Sequence, residues 1–402
     1  MKKVFSVLTV AVLAVSTVFA GFSGSANVDL GYNFDNGTYG FTNGKNEVKG
    51  TFELHSDSAE KKGEGSVYAG IKASMKVAVK DVINDAEDGT ALKLTVSLDE
   101  AYVAGENFKV SILGNDGGVD YAKSAIDQNA DKKAVTYKPG YDKVAGVNGT
   151  VYGYSFGFGL VGDTDAKSFT TSAYAATPKY TLAEGLTLEA GVQGTFDVNT
   201  DVKNKAGWGL ALAYGKDALN ASVASDMGIV LTKNGDKVDA AFDADVAANV
   251  SYNPVSFDIY YATNANSIEN LLSVKVAADL KDFAPVTVAF TGKDLVNAQD
   301  LVGEVGVALA DIKLNASVYG GYVVNTKTWK TGASVDYTID PVGKLYAGFD
   351  LNGTDKLAKA TVNVGLENTT LINNAALKAE YKSGNLVEKK AGALTTSCTI
   401  AF

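Results

Sequence analysis

The stretch VDAAFDADVAANVSY, Val238 to Tyr252, decides how this chain is read. Its even positions, Val238, Ala240, Phe242, Ala244, Val246, Ala248, Val250 and Tyr252, are all apolar or aromatic. The odd positions hold Asp239, Asp243, Asp245, Asn249 and Ser251, with Ala241 and Ala247 neutral to the pattern. Successive side chains of a strand point to opposite faces, so a period of two describes a strand with one greasy and one acidic side.

The pattern recurs along the chain. In Gly24 to Phe34, Ala26, Val28, Leu30, Tyr32 and Phe34 share one parity. In Ser66 to Val79, Val67 through Val79 carry the apolar parity, while Lys72 and Lys76 fall on the other. Thr150 to Leu160 alternates aromatic residues with Gly and Ser and reads as one strand. Further runs occupy Leu92 to Leu98, Leu186 to Val198, Trp208 to Tyr214, Val255 to Tyr261 and Leu272 to Leu280. The C-terminal part adds Ile312 to Val324, Thr331 to Ile339, Leu345 to Leu351, Ala375 to Tyr381 and Leu394 to Phe402. Between runs stand Asn36-Gly37, Asn43-Gly44, Asp88-Gly89, Asp116-Gly117, Asn148-Gly149, Asn234-Gly235 and Asn352-Gly353. Such pairs supply the positive φ angles of tight hairpin turns. No segment shows a 3.6-residue period. The longest break, Gly114 to Lys133, reads as a surface loop or as a loop folded into a lumen.

Strand length separates two all-β readings. Strands of soluble proteins run about 5–6 residues, whereas a tilted membrane-crossing strand needs ~9–11. Several runs here are longer still. Hydrocarbon offers no partner to backbone N–H and C=O, so a sheet in a bilayer closes on itself. Its outer face also excludes charge, because a midplane Lys costs about 2–4 kcal/mol. The expectation is an all-β, transmembrane, antiparallel up-and-down β-barrel with an even number of strands, about 18–20. Tyr252, Phe257, Tyr322 and Tyr337 are placed to form its interfacial aromatic girdles.

Lys2 and Lys3, the apolar run Val4 to Val18 and the small residues Val18 and Ala20 form a secretory signal peptide cleaved after Ala20. That leaves Gly21 to Phe402 as a single barrel domain in the cell outer membrane. The full chain has a net charge of −10, and losing two lysines with the leader makes it −12. All 36 basic residues are Lys, which removes the side chain best suited to bidentate phosphate recognition. No basic patch interleaved with stacking aromatics argues for nucleic acid as a partner. Cys398 is the only cysteine, so no disulfide forms within the chain.

Three motifs with chemical meaning give way to structural readings. Gly157 to Gly162 matches GxGxxG, but its glycines alternate with aromatics inside one strand and no helix follows. His55, the only histidine, has no nucleophile or acid at a recognisable spacing. Asp239, Asp243 and Asp245 read as a solvated strand face rather than a cation site. No metal-ligand spacing is present. The chain is therefore expected to have no cofactor and no catalytic set.

The alternating end LTTSCTIAF closes on Phe402, which resembles the terminal signal read by barrel-assembly machinery. GFSGSANVDLGYNFDNGTYGF, Gly21 to Phe41, resembles the start of treponemal major outer sheath proteins. The SCTIAF ending and the Gly- and Tyr-rich, Arg-free texture continue the resemblance. It is specific at the two ends and a matter of pattern between them. The resemblance implies an abundant spirochaete outer-membrane protein with pore-forming activity and, in several relatives, adhesion to host matrix proteins. Some relatives divide into a periplasmic N-terminal part and a barrel. This chain is shorter, and Gly24 to Phe34 already reads as a barrel strand.

The expected function is a general-diffusion porin for small hydrophilic solutes with a weak cation preference. The alternative is an adhesin whose barrel is a scaffold for binding loops. Pore-lining candidates, chosen by strand parity, are Lys72, Lys76, Glu189, Asp239, Asp243, Asp245, Lys275 and Asp336. Expected partners are the lipid bilayer, the barrel-assembly machinery and periplasmic chaperones. A homotrimer is a common assembly for such pores, and host matrix proteins belong to the adhesin alternative.

Overall fold

The computed structural model describes residues 23–41, 47–55, 67–79, 92–113, 118–126, 146–163, 168–197, 203–235, 237–263 and 270–401. The signal peptide and the expected assembly signal at Phe402 lie outside the described residues. In chain order the strands are β1 (Ser23–Asn33), β2 (Thr38–Phe41), β3 (Glu47–His55), β4 (Tyr68–Val79), β5 (Leu92–Gly105) and β6 (Phe108–Leu113). Next come β7 (Gly146–Val151), β8 (Tyr154–Asp163), β9 (Ser168–Ala176), β10 (Tyr180–Ala183), β11 (Leu186–Asp197) and β12 (Lys203–Lys216). They continue as β13 (Leu219–Asn234), β14 (Lys237–Tyr252), β15 (Val255–Ala262), β16 (Leu271–Asp279), β17 (Val286–Lys293) and β18 (Asp300–Leu309). The last are β19 (Leu314–Val323), β20 (Thr328–Ile339), β21 (Gly343–Gly353), β22 (Leu357–Asn368), β23 (Ala375–Lys382) and β24 (Ala393–Ala401).

Neighbours in sequence pair antiparallel around the whole sheet. Closure comes from β1 and β24, in register from Ser25 opposite Ala401 to Asn33 opposite Ala393. On its other edge β1 pairs with β2 near its end and with β3 near its start, so these two are one interrupted strand. Likewise β9 and β10 lie end to end along β11. The barrel therefore has 22 strands. The all-β antiparallel barrel stands, with two strands more than the upper end of the expected range. An even number places both chain ends on one rim.

The expected range rests on about 20 residues for each strand with its turn. Turns here are as short as two residues, as between Lys216 and Leu219 and between Tyr252 and Val255. Several strands also lie outside the recognised runs. Strands β13, β17, β18 and β22 carry Ser, Gly or Asn within their alternation and were not legible as runs. A hairpin also hid inside Thr150 to Leu160, because Tyr152 and Gly153 turn with φ of 49° and 81° between β7 and β8. A two-residue turn inverts parity, with Val147 and Val151 exposed on β7 and Tyr154 and Phe158 on β8, but Tyr152 in the turn itself extends the even-numbered aromatics of β8 and masks the break. Asn148-Gly149, expected as a turn, is paired strand in β7 instead. Asn36-Gly37 and Asn234-Gly235 do turn, with Gly37 and Gly235 at φ of 69° and 62°.

One face of every strand looks outward. On β14, Val238, Phe242, Val250 and Tyr252 are exposed, as are their neighbours Trp208 and Leu210 on β12. Residues Phe257, Tyr322 and Tyr337 are exposed near strand ends on this same side. The outward face is apolar and the closed pairing leaves no backbone edge there, the two conditions that a lipid surrounding imposes. The wall is uneven in height. Strands β13 and β14 pair over 16 residues each, whereas β6 and β7 have six apiece. At ~3.4 Å per residue and a tilt near ~40°, the tall pair outreaches the ~25 Å apolar band.

Candidate functional site: a crossing segment on an acidic wall

The inward parity carries the charge. On β3 to β6 the charges are mixed and paired. Glu47 accepts from Lys49 at 2.5 Å and from Lys76, while Glu100 binds Lys109 at 2.7 Å and Ser111. Tyr102 donates to Glu53, and the Lys109 ammonium sits 4.2 Å from the Tyr102 ring centre. Lys72 stands between Glu53 and Glu100 in register.

The wall from β11 to β15 is acidic. Glu189, Asp226, Asp239, Asp243, Asp245 and Asp258 share its inward parity, fixed by pairs such as Asp226 opposite Asp245 and Asn249 opposite Asp258. Here the chain after β6 returns into the barrel. Gly118 to Ile126 crosses the strands rather than pairing along them. The Gln193 side chain on β11 grips Val119 at both ends of its peptide: Val119 N–H donates to Oε1 at 2.7 Å, and Nε2 donates to the Val119 carbonyl at 2.8 Å. Farther along, the N–H groups of Tyr121 and Ala122 both donate to Asp226 Oδ2, at 2.8 and 2.7 Å. Ile126 then packs on Tyr260 and Ala262 of β15.

Glycine makes the berth. A Cβ on Gly191 would come within 2.5 Å of Val119 Cγ2. One on Gly209 would meet Asp226 Oδ1 at 2.4 Å, Val119 Cγ1 at 2.5 Å and Tyr121 Cδ2 at 2.7 Å. The segment thus lies against bare backbone, with Val119, Ala122 and Ser124 buried and Asp120 and Lys123 exposed. Lys123 and Asp120 stand 3.7 Å apart on this open side.

Of the sequence candidates, Glu189, Asp239, Asp243 and Asp245 gather on this wall. Asp243 and Asp245 are only 6 % and 3 % exposed, so they are covered rather than open to water. The Thr263 hydroxyl donates to Asp243 at 3.0 Å. Lys72 and Lys76 stand apart on β4. Lys275 on β16 faces Asp258 and Thr291, and Asp336 on β20 accepts from Asn315 at 3.0 Å. The mouth-side turn beyond β16 bears Lys281, whose hydrogen bond to Asp279 holds its ammonium above the ordinary pKa.

Sequence reasoning missed Gln193, Asp226, Gly191 and Gly209. Asp226 was hidden because Ser225 interrupts the apolar parity of β13. The other three fell on recognised strands, but no local signal says that a distant segment will lie on them. Gly157 and Gly159 of the GxGxxG match are inward glycines of β8, opposite Tyr174 and Ser172. His55 ends β3.

No family model matches the chain, and no curated protein matches it. Solved structures do align over most of it. A multiply substituted Rh. blastica porin aligns at 13% identity and a TM-score of 0.33, over 95% of this chain and 99% of its own. Acinetobacter baumannii OccAB4 aligns at 11% identity and a TM-score of 0.40, over 96% and 99%. The P pilus usher (PapC) translocation pore aligns at 10% identity and a TM-score of 0.41, over 94% and 99%. At these scores and identities the likenesses are too slight to say more than the strand pairing already does.

Proposed function

We propose that the protein is an outer-membrane diffusion pore for small hydrophilic solutes, narrowed on one side by Gly118 to Ile126. The observation that carries this reading is a closed barrel, apolar outside and charged inside, with a segment fixed across its inner wall. Glu189 and Asp239 on that wall raise the local concentration of cations, giving a weak cation preference. Lys72, Lys76, Lys275 and Asp336 line the remainder. A chain of this kind enters the membrane after its leader is cut at Ala20, with Phe402 presented to the barrel-assembly machinery and periplasmic chaperones as escorts. The end stretches Gly21 to Phe41 and SCTIAF support a place among the treponemal major outer sheath proteins. The adhesin alternative draws on the same resemblance, but many of the described turns are short and leave it little surface there.

The test is single-channel recording of detergent-purified protein in a planar bilayer, with a salt gradient to read selectivity. Stable, nanosiemens-scale steps and a reversal potential of cation-selective sign are expected. Silence from protein shown to be folded and inserted would count against the pore and favour the adhesin.

A further inference from the structure

Nearer the rim that bears the chain ends, the inner wall of β14 to β18 holds a recess of about 480 Å³. Lys275 and Glu304 are two outlying charges of its lining, with Ala277 and Ala289 between them and Ser251 and Ser256 on the side away from Glu304. Register fixes the layout. Lys275 is opposite Thr291, whereas Glu304 is opposite Ala289, one inward residue closer to the rim and two strands from β16. With strands ~4.8 Å apart and ~3.4 Å of rise per residue, the two Cα atoms are about 12 Å apart. Ala277 and Ala289 lie directly opposite each other between them and offer nothing beyond a methyl group.

Neither charge is spent among the described residues, where the Lys275 and Glu304 side chains make no hydrogen bond or ion pair. The nearest acids are committed elsewhere: Asp258 accepts from Asn249 at 2.6 Å, and Asp279 binds Lys281 at 3.0 Å. Opposite charges held apart over a bare floor satisfy a ligand that carries both charges at a matching separation. A salt ion can use only one of them.

We infer that this recess is a subsite for zwitterions of dipeptide size, with the ammonium on Glu304 and the carboxylate on Lys275. An extended dipeptide spans about 7 Å. Side chains of a sheet stand roughly perpendicular to it, so the charged tips keep about the Cα separation, and a charge-assisted hydrogen bond of ~2.8 Å at each end completes the span. A single amino acid, about half as long, reaches one side at a time. The hydroxyls of Thr287 and Thr291 on β17, the strand between the two charges, supply donors and acceptors for the peptide group. The assignment rests on the pore reading and adds to it a preferred class of solute.

Diglycine, added at millimolar concentrations to protein in a planar bilayer, provides the probe, with mean current and open-channel noise as the readout. A saturable fall in current with excess noise is expected, and glycine at equal concentration should act about tenfold more weakly. K275Q and E304Q should each weaken the diglycine effect about tenfold, since each removes one charged partner. The swapped pair K275E/E304K should restore it, with the ligand reversed. If the unmodified protein inserts but gives no steps, the pore reading itself fails and the subsite with it. If steps appear and diglycine acts like glycine, or K275Q and E304Q leave its effect unchanged, the subsite is overturned while the pore stands.

Discussion

Asp226 shows how a single inward carboxylate can set the shape of a lumen. Its Oδ2 receives two backbone N–H groups from a segment about a hundred residues earlier in the chain. Removing it in D226A leaves both donors without that partner, which costs about 1–3 kcal/mol when such groups stay buried. The seated segment should then loosen, giving a larger and noisier single-channel step, while D226N keeps an acceptor oxygen and should disturb it less. Gly209 offers a second route to the same end. G209L pushes a side chain into Val119 and Tyr121, and overpacking of this sort costs about 1–3 kcal/mol. An unchanged conductance in both D226A and G209L would mean that Gly118 to Ile126 does not narrow the path. Neither position announced itself in the sequence, where Asp226 is one aspartate among many and Gly209 one glycine among 42.

At the scale of the element, β14 is the clearest case of two solvents on two faces. Val246 lies outward, opposite Ser225 and Tyr261, whereas Ser222 on β13 lies inward, opposite Ala213 and Asn249. V246K should therefore cost about 2–4 kcal/mol of folding stability in lipid vesicles. S222K should stay within about 0.5 kcal/mol, because its ammonium remains in water. Urea titration of the vesicle-folded protein separates the two, and equal costs would contradict the assigned faces. This parity was legible from Val238 to Tyr252 alone. The ends of elements were not always so, as the Tyr152-Gly153 hairpin shows: Tyr152, in the turn, falls in step with the aromatics of β8, although pairing puts the outward residues of β7 on the other parity.

For the whole molecule, charge acts through water and is limited by screening. The acidic wall of β11 to β15 confronts a mixed, largely paired wall on β3 to β6, so the field inside is uneven. Its reach should follow the Debye length, ~10 Å at 0.1 M salt and ~3 Å at 1 M. The cation preference read from reversal potentials should therefore fade between those concentrations, and replacing Glu189 and Asp239 together by Lys should reverse its sign at 0.1 M. A preference indifferent to salt would point to a narrow, desolvated filter instead of a wide charged lumen.

The sequence by itself determined the class of fold and the two faces of most strands, because strand periodicity is local and a bilayer rejects charge at every exposed position. It also grouped the eight charged candidates on the strand parity opposite the apolar one. Strand number, the seam between β1 and β24, and the seat of Gly118 to Ile126 were decided only by tertiary structure. Closure joins residues more than 350 positions apart, with Asp35 accepting from the N–H groups of Ala391 and Gly392. Which carboxylates are exposed, as Asp239 is, and which lie covered, as Asp243 and Asp245 do, is a tertiary property, as is the seat of a segment with no periodicity of its own. Its place is set by a glutamine, an aspartate and two glycines on other strands, and such long-range complementarity leaves no local mark.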